Sequence, residues 1–105
     1  MSVTVTDATF QRDVLASTKP VLVDFWTDWC APCKPLSLVL DELSAEIGDR
    51  VLIAKINAET SPVVTQQYGV RGFPTMLIFK GGQVADSRSG AMAKGKLREW
   101  IESTL

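Results

Sequence analysis

Histidine is missing from the 105 residues, and cysteine occurs only twice. Structural zinc asks for four ligands, so a chain with two thiols and no imidazole can supply at most half of such a site. Two cysteines are also too few for the disulfide framework of a small secreted domain. No apolar run approaches the roughly 20 residues needed to cross a bilayer. Charge of neither sign dominates: 12 acidic and 11 basic residues leave a net charge of -1, which gives no field to attract nucleic acid or an anionic membrane. The N-terminus, Met1 to Asp7, has neither a basic n-region nor a long apolar h-region, so the sequence predicts a cytoplasmic chain.

Hydrophobic residues make up 46% and charged residues 22%, values ordinary for one soluble domain with one core, here spanning residues 1–105. Val3 and Val5 alternate with threonines as a short strand, and Asp7 then opens a helical stretch carrying Phe10, Val14 and Leu15. Val21 to Trp26 is β-branched and aromatic with little polar interruption, the pattern of a central strand buried on both faces. From Pro32 to Ile47, Leu36, Val39, Leu40, Leu43 and Ile47 recur at helical spacing, with Gly48 as the expected C-terminal cap. Val51 to Asn57 reads as a further strand, Ser61-Pro62 as the start of a short helix, and Thr75 to Lys80 and Gln83 to Ser89 as a hairpin joined by Gly81-Gly82. Leu97, Trp100 and Ile101 form the buried stripe of a last helix. Helices between early strands favour parallel pairing while the two-glycine turn demands an antiparallel pair. The order therefore predicts an α/β fold with a central mixed sheet covered by helices on both faces.

Cys30-Ala31-Pro32-Cys33 falls where the central strand gives way to the longest helix. Residues three apart at a helix start have neighbouring side chains, so a small adjustment closes a disulfide between them. Free N–H groups at the helix N-terminus favour a thiolate, which makes Cys30 the expected nucleophile. Cys33, one turn further in, is expected to be the more shielded and to resolve the mixed disulfide that Cys30 forms. Pro32 suits a first helical position and stiffens the small ring. Half a zinc site, a pair of inert core thiols and a static disulfide are the competing readings, the last weakly motivated because so short a loop removes little chain entropy. Asp24 lies inside the apolar central strand, where a carboxyl is costly to bury charged and should ionise at a raised pH. Lys55 lies likewise inside an apolar strand, where it can also snorkel to solvent.

The segment VLVDFWTDWCAPCK, Val21 to Lys34, resembles the active-site region of thioredoxins, VDFWAxWCGPCK. Tyr68 to Thr75 is similar to the family's YGIRGIPT, Phe79 to Gly82 to its FKxG, and Gly90-Ala91 with Lys94-Gly95 to its GAxxKxxL. Motifs in this order over the whole chain are far more specific than C-x-x-C alone. The resemblance implies a thioredoxin fold and a protein-disulfide reductant cycling between dithiol and disulfide, without a bound cofactor or metal. It implies an aspartate beneath the dithiol, Asp24, that exchanges a proton with Cys33, and a neighbouring Lys55 that modulates it. It also implies a cis peptide bond before Pro74, which shields the thiols from metals, and an apolar docking surface of Trp29, Ala31, Pro32, Phe73 and Gly90. Its expected partners are a flavin-containing thioredoxin reductase drawing on NADPH and disulfide-containing target proteins, met by a monomer.

Four positions depart from the family pattern. Ala31 replaces the usual glycine between the cysteines, Phe73 replaces isoleucine or valine, and Pro35 stands in the first turns while Leu38 replaces the proline deeper in the helix. Pro35 predicts a distorted helix start. Two further functions share these residues: a thiol oxidant or isomerase, which a histidine between the cysteines would favour, and a non-enzymatic module in which two chains hold an iron–sulfur cluster through four thiolates.

Overall fold

A computed structural model describes residues 2–105. Five strands form one mixed sheet: β1 (Val3–Val5), β2 (Val21–Trp26), β3 (Leu52–Asn57), β4 (Thr75–Lys80) and β5 (Gln83–Ser89), in the order β1-β3-β2-β4-β5. β1 and β2 run parallel to β3, whereas β4 runs antiparallel to both β2 and β5. β2 is thus hydrogen-bonded on both edges. Five of its six residues, Val21 to Phe25, are buried, as the unbroken apolar run predicts.

Three α-helices complete the fold: α1 (Cys33–Ile47), α2 (Pro62–Gln67) and α3 (Lys94–Thr104). α1 and α3 cover one face, where Leu36, Leu40, Leu43, Leu97 and Ile101 pack on Leu22, Ile53, Met76 and Ile78. Each such buried aliphatic side chain contributes about 1.5–3 kcal/mol of apolar burial. The other face is closed by Val64 of α2 and by Phe10 and Val14, which pack on Val23, Phe25, Ile56 and Phe79. Helices on both faces of a mixed sheet match the expected architecture.

Gly81 and Gly82 both have positive φ, 59° and 80°, so the β4–β5 hairpin turns through the two glycines as its spacing predicts. A register shift between Ile78 and Phe79 bends this edge hairpin. Gly48 differs from expectation. Its φ is -63°, an ordinary helical value, and a β-carbon there would collide with the Ser44 carbonyl oxygen. Space, and not a left-handed cap, explains the glycine.

The helix expected after Asp7 is a single wide turn, Gln11–Leu15, closed by the Ala16 N–H donating to the Gln11 carbonyl five residues back at 3.0 Å. Asp7 does not cap it. The Asp7 carboxylate instead accepts the N–H groups of Val63 and Val64 at 3.1 and 2.9 Å, capping α2 from 56 and 57 residues away. The Ser61 hydroxyl, in the local cap position, is occupied by the Asp7 N–H at 3.3 Å. Asp7 has taken the N–H groups that local spacing assigns to Ser61.

Candidate active site

Past β2 the chain leaves the sheet and makes a tight turn in which the Cys30 N–H donates to the Thr27 carbonyl at 3.3 Å. The Cys33 N–H then donates to the Cys30 carbonyl at 3.2 Å, and the Lys34 N–H to the Ala31 carbonyl at 3.4 Å. These i→i+3 contacts tighten the start of α1. Pro35, third in the helix, has no N–H to donate, so the Ala31 carbonyl is left to Lys34. The distortion expected from Pro35 is this tightened turn. Pro32 precedes the helix with φ -70° and ψ -13°, and no side chain caps the end. The positive end of α1 is therefore left to the sulfur pair beside it.

Cys30 and Cys33 form a disulfide with their Cα atoms 5.4 Å apart. The expected difference in shielding is absent: the residues are 4% and 3% exposed. They differ in what they face. Cys33, inside the helix, lines a cleft of about 200 Å³ with Trp26, Thr27, Lys34, Ser37 and Lys55, whereas Cys30 does not reach it. Trp26, at the end of β2, is half-buried and forms part of this cleft.

Asp24 is fully buried, and alternation along β2 puts its side chain on the face that α1 and α3 cover, with Leu22. Neither carboxyl oxygen has a hydrogen-bond partner among the described residues. Burial pushes the Asp24 carboxyl up to about 7, opposed by the positive charge of Lys55. Lys55 stands in register with Asp24 on the neighbouring strand. Its ammonium, however, turns to α1, donating to the Ser37 hydroxyl at 2.6 Å, the Ser37 carbonyl at 3.2 Å and Asp41 Oδ1 at 2.7 Å. Lys55 thus acts on Asp24 by charge and makes its contacts elsewhere. Hydrogen bonds from Lys55 and then from Ser2 hold the Asp41 carboxyl below the usual range.

Around the dithiol, Trp29 is 68% exposed and Ala31 and Pro32 are exposed, while Phe73 and Gly90 are half-buried. The Phe73–Pro74 peptide bond is cis. Trp29 meets Phe73 edge to face, with ring centroids 5.8 Å apart, and donates its indole N–H to Glu59 at 3.2 Å. Gly90, with φ 88°, donates its N–H to the Pro74 carbonyl at 2.8 Å, joining the start of β4 to the end of β5. Its positive φ requires glycine, while the space where a side chain would stand is open.

Four residues of this neighbourhood escape sequence reasoning: Ser2, Ser37, Asp41 and Glu59. A signal existed for two of them, because Cys33, Ser37 and Asp41 follow one another at four-residue steps and so form one polar file on α1. Glu59 and Ser2 come from distant segments. Among the described residues, no group of three or more His, Cys, Asp or Glu side chains is arranged to hold a metal ion, and no helix is long and apolar enough to cross a membrane.

A disulfide of two residues three apart, at the uncapped start of a helix, defines a dithiol/disulfide oxidoreductase. The thioredoxin family model matches residues 1–103. A thioredoxin of Rhodospirillum rubrum is 48% identical over 101 residues, covering 96% of this chain and 97% of that protein. One from Acidithiobacillus ferridurans is 45% identical, covering 96% and 94%. One from Rickettsia felis is 41% identical over 105 residues, all of both chains. The chain belongs to the thioredoxin family. It is an oxidoreductase that works by thiol–disulfide exchange through the Cys30–Cys33 pair.

Proposed function

We propose that residues 1–105 act as one domain, a monomeric cytoplasmic reductant of protein disulfides, with Cys30 as nucleophile and Cys33 as resolving thiol. The Cys30 thiolate attacks one sulfur of a target disulfide, forming a mixed disulfide and releasing the first target thiolate. Cys33, deprotonated by Asp24, attacks Cys30, closing the Cys30–Cys33 disulfide and releasing the second target thiolate. Two electrons pass to the target, and two protons complete its thiols. A flavin-containing thioredoxin reductase returns the electrons from NADPH.

The observation that carries this reading is the sulfur pair at the uncapped helix start, on the side of the sheet where Asp24 is buried with a carboxyl that ionises near neutrality. A base useful at pH 7 should itself titrate near 7. Lys55 tempers that titration through its charge. Trp29, Ala31, Pro32, Phe73 and Gly90 receive an extended target segment, whose backbone pairs with that of Phe73, and Pro74 keeps metals from the thiols. A flat apolar lip with edge-to-face aromatics suits an extended peptide better than one small molecule.

The test is reduction of insulin disulfides coupled to NADPH consumption through a thioredoxin reductase. Wild type should turn over, and Cys30→Ser should fall to the rate without added protein. Equal rates for the two would remove Cys30 from the nucleophile's role.

A further inference from the structure

The ammonium of Lys55 has three N–H bonds to donate, and the contacts it makes account for all three: two to Ser37 and one to Asp41. No donor is left for Asp24, although Asp24 and Lys55 stand opposite each other in adjacent strands. The geometry points to Ser37 as a positioning residue of the exchange reaction, one that ties Lys55 to α1 and so keeps its charge from closing on Asp24. This inference rests on the proposed role of Asp24 as the base for Cys33.

Ser37 is well placed for this task. It follows Cys33 by one helical step and lines the same cleft, so the helix that carries the resolving thiol also carries the tether. Its hydroxyl takes the shortest of the three contacts, at 2.6 Å, and the Ser2 hydroxyl braces Asp41 from behind at 2.8 Å. The other charged or titratable groups lining this cleft are Cys33 and Lys34 of α1 and Asp28 of the loop after β2; β4 presents Met76 opposite Asp24, and α3 packs Leu97 and Trp100 into the core on this side. Of the two cations lining the cleft, Lys55 is the one that stands opposite Asp24 and whose charge acts on it. Freed from the hydroxyl, it can turn along its strand toward the unpartnered carboxyl and favour the charged form.

The experiment follows the Asp24 carboxyl carbon by NMR across pH in the oxidised protein, where the two thiols do not titrate. Ser37→Ala alters no charge and should lower the midpoint by about half a pH unit or more. Ser37→Thr, which keeps the hydroxyl, should retain the wild-type midpoint. In a Lys55→Met background, Ser37→Ala should produce no shift. A smaller change in Ser37→Ala, an equal change in Ser37→Thr, or a shift that persists without Lys55 would each overturn the proposal. The readout does not involve turnover. An Asp24 with no part in the reaction would instead be exposed by unchanged exchange kinetics in Asp24→Asn, with the titration result left standing.

Discussion

On the side of the sheet closed by the Gln11–Leu15 turn and α2, β2 and β3 present only apolar side chains inward, among them Val21, Val23, Phe25 and Ile56. On the side closed by α1 and α3 the same strands begin alike, with Leu22 and Ile53, and then change character: one rung further, Asp24 and Lys55 stand in register. On the first side the two strands serve packing alone. The second gives up one rung of core, close to where β2 runs on to the dithiol, and buries a carboxyl without a partner. What the difference teaches is that the polar rung has a thermodynamic cost, and that the cost depends on pH.

The largest expected effects set the two sides against each other. Phe25→Ala, on the apolar side, should destabilise the oxidised protein by about 3–5 kcal/mol at acidic and neutral pH alike, read from denaturant unfolding. Asp24→Asn should do the reverse, and only at higher pH. The folded carboxyl ionises near 7 against 3.8 for an ordinary aspartate, so the native state holds its proton longer than the unfolded chain. Stability contributed by Asp24 is therefore intact below about pH 4, falls as pH rises toward 7, and stays low above it. Asp24→Asn should flatten that slope, gaining on the order of 2–4 kcal/mol at alkaline pH and little at acidic pH. A loss at alkaline pH would break the comparison, since Asp24 would then be stabilising the side it interrupts. A smaller effect sharpens the account of the apolar side: Asp7→Ala should cost about 1–2 kcal/mol by uncapping α2, the helix that supplies Val64 to that core.

Much of this contrast was legible in the sequence because it is written in local patterns. The unbroken apolar run of β2 identifies a central strand, and a carboxylate within it is conspicuous at once. The two-glycine hairpin and the apolar stripe of α1 are read with equal ease, since each depends on residues close together in the chain. What escaped depends on segments far apart. Local spacing assigns Asp7 to the helix that follows it, yet its acceptor oxygens are used by α2, 56 residues on. Lys55 acts on Asp24 by charge as the resemblance implies, but its hydrogen bonds go to the file of Ser37 and Asp41 on α1, which nothing local announces. Position along the helix predicts thiols that differ in exposure, and the fold buries both; what separates them is the cleft, which touches only Cys33. Competition among partners in three dimensions decided each of these cases, and local spacing carries no record of that competition.

The claim that the polar rung serves the dithiol is tested most directly by the rate at which Cys33 resolves a mixed disulfide held on Cys30. That rate should be followed across neutral pH in wild type and in Asp24→Asn. In wild type it should rise through an inflection near pH 7, where the Asp24 carboxyl ionises. Asp24→Asn should be slower and should lack that inflection. Superimposable profiles for the two proteins would contradict the account, leaving Asp24 a buried charge with no part in the exchange.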